Sequence, residues 1–227
     1  MKLINCDLGE CLIPSPDEDV MPLIDMANIA CGGHAGDESS MIEAIKQAQQ
    51  HGVKIGVHPS YPDKDNFGRL SYRMSSIDLF QLIYKQVVTF QALCDKHGVR
   101  IEYIKPHGAL YHDMMHKEDV LMVLCNVIET LDSSLSLMVQ AGINTETFER
   151  FSKDKDIQFL YEAFADRGYR GLQMIPRSEQ GAMLEDAQHI VEQYHSFCQE
   201  QTAKIDTICF HSDNPSSVLA LKILRAM

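Results

Sequence analysis

No two cysteines are spaced as CxxC, no stretch approaches the ~20 apolar residues that span a bilayer, and no stripe of lysine and arginine runs through the chain. The seven cysteines are odd in number and scattered, and Cys6, Cys31 and Cys209 lie in or beside strand-like runs. There a thiol behaves as a small buried hydrophobe, so neither disulfides nor a cysteine zinc site is expected. Lys plus Arg number 20 against 32 Asp plus Glu, a net charge of −12. That balance excludes the counterion-releasing surface a nucleic acid needs and disfavours an anionic membrane. GxxxxGK[ST], GxSxG and HExxH are also missing, which removes a P-loop, a serine nucleophile elbow and a zincin helix. The start, Met1-Lys2-Leu3-Ile4-Asn5-Cys6-Asp7, is too short and too soon polar for a signal peptide, so a cytoplasmic protein is expected. At 227 residues without a Pro/Ser-rich or charged linker, one domain over 1–227 is expected.

What is present centres on Asn28-Ile29-Ala30-Cys31-Gly32-Gly33-His34-Ala35-Gly36-Asp37. An apolar run stops at a glycine-rich turn carrying a histidine, and Asp37 then suits the N-cap of a helix from Glu38. Bare N–H groups there suit an anion, while His34 suits a metal or a proton near neutral pH.

The same arrangement recurs along the chain. Strands are expected at Leu3–Cys6, before Gly32, at Val53–Val57, Ile101–Ile104, Leu135–Val139, Ile157–Tyr161 and Ile205–Phe210. Helices are expected at Glu38–His51, from Ser75-Ser76 to His97, over Lys117–Leu131, Asn144–Phe151 and Glu185–Gln201, and from Pro215. Pro14 to Asp25 reads as a long loop with a short helical turn, and Gly168 to Gly181 as an extended loop. The joint His51-Gly52-Val53-Lys54-Ile55 is echoed by His97-Gly98-Val99-Arg100-Ile101, which points to successive βα units. The strands read as apolar without alternation, which suits a parallel sheet covered on both faces, either closed or doubly wound.

Either arrangement gathers residues just past the strand ends on one mouth: Asp7, Glu10, His34, Asp37, His58, Lys105, His107, Glu162, Asp166, Arg167, His211 and Asp213. Asp7, His34 and His58 suit a borderline divalent ion. Lys105 ends a buried strand, where burial would lower its pKa and make it a base, or where it stays charged and neutralises an oxyanion. His107 is a candidate proton carrier. Arg69, Arg167 and Arg177 sit in glycine- or proline-marked loops and offer forks for carboxylate or phosphate.

Asp7-Leu8-Gly9-Glu10, Ala27 to Asp37, His58-Pro59, Tyr61-Pro62-Asp63, Phe67-Gly68-Arg69, Lys105-Pro106-His107-Gly108-Ala109-Leu110-Tyr111, Phe164-Ala165-Asp166-Arg167, Pro176-Arg177 and His211 with Asp213 resemble the LamB/YcsF family in order and over nearly the whole chain. The resemblance implies an irregular (β/α) barrel, seven-stranded and akin to glycoside hydrolases and deacetylases. It also implies ATP-dependent opening of 5-oxoproline to glutamate, with separate 5-oxoprolinase subunits B and C as partners. On this reading Asp7, Lys105, His107 and Asp166 carry catalysis. Glu10, Asp37, Arg69, Glu162, Arg167, Arg177 and Asp213 bind substrate or phosphate. Asp7, His34, His58 and His211 are the candidate ligands of a divalent metal ion.

Four departures from the family pattern bear on substrate fit: Gly33 in place of phenylalanine, Ser60 and Ser212 in place of glycines, and Leu70 in place of a second arginine. Two other functions fit the same residues. One is a self-sufficient metal-dependent amidohydrolase or carbohydrate deacetylase, the other a non-catalytic protein that binds a small carboxylate. Assembly as a homo-oligomer is compatible with each.

Overall fold

In the computed structural model, which describes residues 2–132 and 134–227, the strands do close. β1 (Leu3–Leu8), β2 (Met26–Ala30), β3 (Lys54–His58), β4 (Ile101–Ile104), β5 (Ser136–Gln140), β6 (Gln158–Phe164) and β9 (Thr207–His211) form a closed, all-parallel seven-stranded barrel in the order β1-β2-β3-β4-β5-β6-β9. Between them run α1 (Asp17–Val20), a 3-10 turn (Met21–Leu23), α2 (Glu38–His51), α3 (Ser76–Lys96), α4 (Gly108–His116), α5 (Glu118–Leu131), α6 (Thr145–Lys155), α7 (Ala187–Gln199) and, at the end, α8 (Pro215–Ala226). The seven-stranded (β/α) barrel expected from the sequence is therefore the fold, and the open-sheet alternative falls away.

Local chemistry accounts for most element ends. Asp37 and Ser40 cap α2 reciprocally, each side chain accepting from the other's backbone N–H. Gly52 and Gly98, the stops of the repeated joint, both hold left-handed backbone (φ 66° and 67°), as a helix-ending glycine does. Asn214 caps α8 with Pro215 in its first turn.

Three expectations need correction. β1 and β6 run two and three residues further than expected, so Asp7 and Glu162 sit within strands rather than past them. Gly108–His116 forms α4, which the sequence hides because it opens on glycine and His107 offers no side-chain cap. The supposed loop after Gly168 contains an antiparallel hairpin, β7 (Tyr169–Arg170) against β8 (Gln173–Met174).

The strands also alternate more than their apolar appearance suggests. Ile4, Cys6 and Leu8 face the helices, where they join Ile29, Val57, Ile104, Phe90 and Leu124 in the main core. Burying each large apolar side chain contributes about 1.5–3 kcal/mol. Asn5 and Asp7 take the opposite parity and, with Asn28 and Lys105, share hydrogen bonds inside the barrel. Below them Met26, Tyr103 and Met138 plug the barrel floor. The Tyr103 ring crosses the space a side chain at Gly56 would fill, and its hydroxyl donates to Asn28 Oδ1 (2.8 Å). Among the described residues no helix is long and apolar enough to cross a membrane.

Candidate active site

A cavity of about 630 Å³ opens at the C-terminal mouth of the barrel. Asp7, Glu10, His58, Arg69, Lys105, His107, Arg167, Arg177, His211 and Asp213 all line it. Register explains the meeting: Asp7 pairs with Asn28 on one side and His211 on the other, and Ala30 pairs with His58. His34, Glu162 and Asp166 stand just behind this wall, at 2%, 0% and 0% exposure. Asp37 does not join them. It is exposed, outside the cavity lining, and its side chain is committed to capping α2, so its assignment to substrate or phosphate binding is withdrawn.

The floor is one ionic network. Lys105 Nζ lies 2.9 Å from Asp7 Oδ1, 3.1 Å from Glu162 Oε2, 3.2 Å from Asn5 Oδ1 and 3.2 Å from Cys209 Sγ. Burial alone would lower the lysine pKa, but Asp7 and Glu162 outweigh it and hold the group well above its ordinary value. Lys105 is therefore a fixed cation, and the reading of it as a deprotonated base is overturned. Burial would raise the Asp7 pKa, but His58 and Lys105 pull it well below the carboxylate range. Asn28 donates to the same Asp7 oxygen (2.7 Å) and to Asn5 Oδ1 (2.8 Å). Glu162 keeps a raised pKa through burial. It contacts the ammonium beneath the cavity, so its role is to hold Lys105 rather than to touch a substrate.

Beside this network stands a histidine–aspartate pair. His211 Nδ1 donates to Asp166 Oδ1 (2.8 Å), and the ring stacks against Phe164 with centroids 5.7 Å apart. Burial would raise the Asp166 pKa, yet His211 outweighs it and the net shift is downward. An aspartate at Nδ1 fixes the tautomer and leaves Nε2 as the reactive nitrogen. Asp166, expected to be catalytic, lies behind His211 and outside the cavity lining, where it holds the ring.

The remaining histidines cluster around Glu10. His58 Nδ1 donates to the Lys105 carbonyl (2.6 Å), and its Nε2 lies 2.9 Å from His107 Nδ1. His107 Nε2 donates to the Phe67 carbonyl (2.9 Å). His34 stacks on His107 with centroids 3.6 Å apart and reaches Glu10 Oε1 at 3.1 Å. Burial pushes the His34 pKa down to about 2 and drives that of His107 in the same direction, while burial and Asp7 raise that of Glu10. Gly68 lets the neighbouring loop lie against both rings, since a Cβ there would come within 2.8 Å of His34 and 3.0 Å of His107. The four-residue metal set expected from the sequence does not assemble as one group. His34 and His58 join Glu10 and His107, whereas Asp7 and His211 gather with Cys209.

The arginines divide by function. Arg167 donates to the carbonyls of Ala182 (2.9 Å) and Ile175 (2.8 Å), holding the hairpin loop, so its fork is spent on backbone. Arg69 pairs with Asp213 (3.0 Å) at the exposed rim, and Arg177 is exposed on the cavity lining. The sequence reading did not count Asn5, Asn28, Tyr103 and Cys209 among the site residues. The signal for the first two was present: polar residues of one parity inside otherwise apolar strands. Of the family departures, Gly33 and Ser60 are in contact, because a Cβ at Gly33 would fall on Ser60 Oγ and lie 2.6 Å from Gln86 Oε1. Ser212 donates to the Asp7 carbonyl (2.8 Å), and Leu70 is exposed outside the lining.

Comparison with known proteins identifies the family. The LamB/YcsF family model matches residues 3–227. The A subunit of 5-oxoprolinase from Vibrio campbellii is 39% identical over 98% of this chain and 93% of its own length. One of the 5-oxoprolinase A subunits of Pseudomonas aeruginosa is 36% identical over 99% and 95%. The crystal structure of a lactam utilization protein from Thermus thermophilus superposes with a TM-score of 0.87 at 27% identity, covering 100% of this chain and 97% of that one. The chain belongs to the LamB/YcsF family.

Proposed function

We propose that this chain opens the lactam of 5-oxoproline to L-glutamate with ATP as co-substrate, as the A component of an assembly with 5-oxoprolinase subunits B and C. The observation that carries the reading is the ionised Asp7, fixed by Lys105, standing beside the Asp166–His211 pair at the base of one cavity. The names of the relatives supply the substrate class and the place in an assembly.

A lactam carbonyl is resonance-stabilised and resists water. Transfer of a phosphoryl group from ATP to its oxygen turns that oxygen into a leaving group. Water then adds to the carbon and the C–N bond breaks as nitrogen takes a proton, leaving an acyl phosphate, which a second water cleaves to the carboxylate and inorganic phosphate. His211 Nε2 accepts the water proton and returns it to the nitrogen, while Asp166 holds the ring. Asp7 orients the water, and Lys105 keeps Asp7 ionised without leaving the floor. Arg177 and Arg69 bind the substrate carboxylate or phosphate at the rim.

The test is glutamate release from 5-oxoproline, measured with and without ATP, for this chain alone and with subunits B and C. Turnover that needs ATP and the partners is expected. The histidine cluster around Glu10 favours a second reading, a metal-dependent amide hydrolase or carbohydrate deacetylase, and ATP-independent turnover by the chain alone would select it. Full activity of the assembly after both Lys105→Ala and Asp7→Ala would instead mark a ligand-binding component.

A further inference from the structure

Hydrogen-bond bookkeeping at the histidine cluster leaves an imbalance. A backbone carbonyl can only accept, so His58 carries its proton on Nδ1 (to Lys105 O) and His107 on Nε2 (to Phe67 O). In neutral rings the other nitrogens are bare, and these are the two atoms that face each other at 2.9 Å. Glu10 Oε1, a further acceptor, lies 3.6 Å from His107 Nδ1, and Asp7 Oδ2 lies 3.5 Å from His58 Nε2. Ligand atoms of Glu10, His58 and His107 thus converge in a buried group, and Asp7 Oδ2 lies beside His58.

We infer that these atoms bind a first-row divalent metal ion, with His58 Nε2, His107 Nδ1 and Glu10 Oε1 as ligands and Asp7 Oδ2 within reach as a fourth. The spacing fits. Zinc bonds to nitrogen and oxygen of about 2.0–2.2 Å put neighbouring ligand atoms roughly 2.9–3.5 Å apart in octahedral or tetrahedral geometry. The separations here are 2.9, 3.5 and 3.6 Å. The surroundings fit as well. Ligating histidines donate their second ring N–H to a carbonyl or carboxylate, and both rings already do so. His34 donates from Nε2 to Glu10 and stacks on His107, so it orients two ligands and is not one itself.

The neighbouring group of Asp7, Cys209 and His211 is a poorer candidate. Lys105 Nζ already stands 2.9 Å from Asp7 and 3.2 Å from Cys209 Sγ, and His211 Nδ1 is committed to Asp166. An ammonium holds the place a metal would need. At the Glu10 site a bound ion lies against the cavity, where it supplies a Lewis acid for a carbonyl oxygen. This inference does not depend on the substrate or on ATP.

The experiment is calorimetric titration of the chelator-stripped full chain with Zn²⁺, Mn²⁺ and Mg²⁺, in parallel with circular dichroism to check folding. One equivalent of Zn²⁺ or Mn²⁺ is expected to bind far more tightly than Mg²⁺. His58→Ala, His107→Ala and Glu10→Gln should each weaken binding at least about 100-fold, and His34→Ala about 10–100-fold. Cys209→Ser should leave it unchanged, as should His116→Ala, which breaks the exposed His112–His116 pair. The wild-type chain with Co²⁺ gives a second readout that needs no variant, a visible absorption band of nitrogen- and oxygen-ligated cobalt. Absence of stoichiometric binding by the folded wild-type chain overturns the inference. So does binding that survives His107→Ala in a folded protein, or binding that is lost with Cys209→Ser or His116→Ala.

Discussion

On one side of the cavity floor Lys105 faces Asp7, Glu162 and Asn5, and Asp166 accepts a hydrogen bond from His211; on the other, His58 and His107 turn ring nitrogens toward each other beside Glu10. Both sides are buried and are built from acids and bases. The first carries its own cation, the Lys105 ammonium held between Asp7 and Glu162. The second has no cation of its own and turns two ring nitrogens toward each other beside a carboxyl group. The contrast assigns different work to each side. A network with its own cation suits fixed orientation and protonation, whereas the histidine cluster is the side proposed above to take an ion from solution.

The largest expected effect comes from breaking the side that carries Lys105. Lys105→Met removes the cation and leaves Asp7 and Glu162 buried against each other, a loss of about 3–5 kcal/mol of stability by thermal or urea unfolding. Lactam opening should disappear with it. If stability falls by less than about 1 kcal/mol, the network is not the closed ionic unit described here. The metal-ligand substitutions at His58 and His107 should behave differently, lowering ion affinity without a comparable loss in the metal-free chain.

Next in size is the His211 tautomer. Asp166→Asn keeps the shape of the pair but offers an amide where the carboxylate accepted, so the ring is held less firmly and in a mixture of tautomers. In the reconstituted glutamate-release assay kcat is expected to drop about 100-fold or more, with KM little changed. A change confined to KM would show that His211 binds rather than moves protons. At the rim, Arg177→Ala should raise KM for 5-oxoproline or ATP roughly 10-fold with kcat nearly intact. Arg69→Ala should do less, because its guanidinium is already shared with Asp213.

Much of this was legible from the residues in a line. In a parallel barrel each strand delivers its last side chains to the same rim, so Asp7, His58, Lys105 and His211 could be gathered without coordinates. Grouping them was harder, because chain position gives the place around the ring but not the height or the reach. Glu10 folds back from the loop after β1 to meet His34, and His107 crosses from the loop after β4 to face His58. Both moves depend on tertiary packing of loops, such as the close approach at Gly68. Asp37 was misplaced for a different reason. An N-cap and an anion site share one sequence signature, and in the fold the side chain satisfies its own helix. α4 escaped notice because Gly108 and an uncapped His107 carry no start signal, although Ala109, Leu110, Met114 and Met115 bury its face.

The smallest effect concerns acid stability, and it tests whether the side that carries Lys105 is as balanced as its geometry suggests. The folded pKa of Asp166 lies below the ordinary carboxylate value, because His211 outweighs the burial that would raise it. A carboxylate depressed in the folded state adds stability that is fully present above its unfolded pKa, about 3.9, and is lost as pH falls through the folded value. Asp166→Asn removes that contribution. Wild-type and variant urea midpoints should therefore differ most at neutral pH and draw together below about pH 4. Midpoint differences that stay constant from pH 7 to pH 3 would mean that the charge on Asp166 contributes nothing to the fold. The hydrogen bond to His211 would then act through shape alone, and the ionic account of this side of the cavity would have to be rebuilt around Lys105.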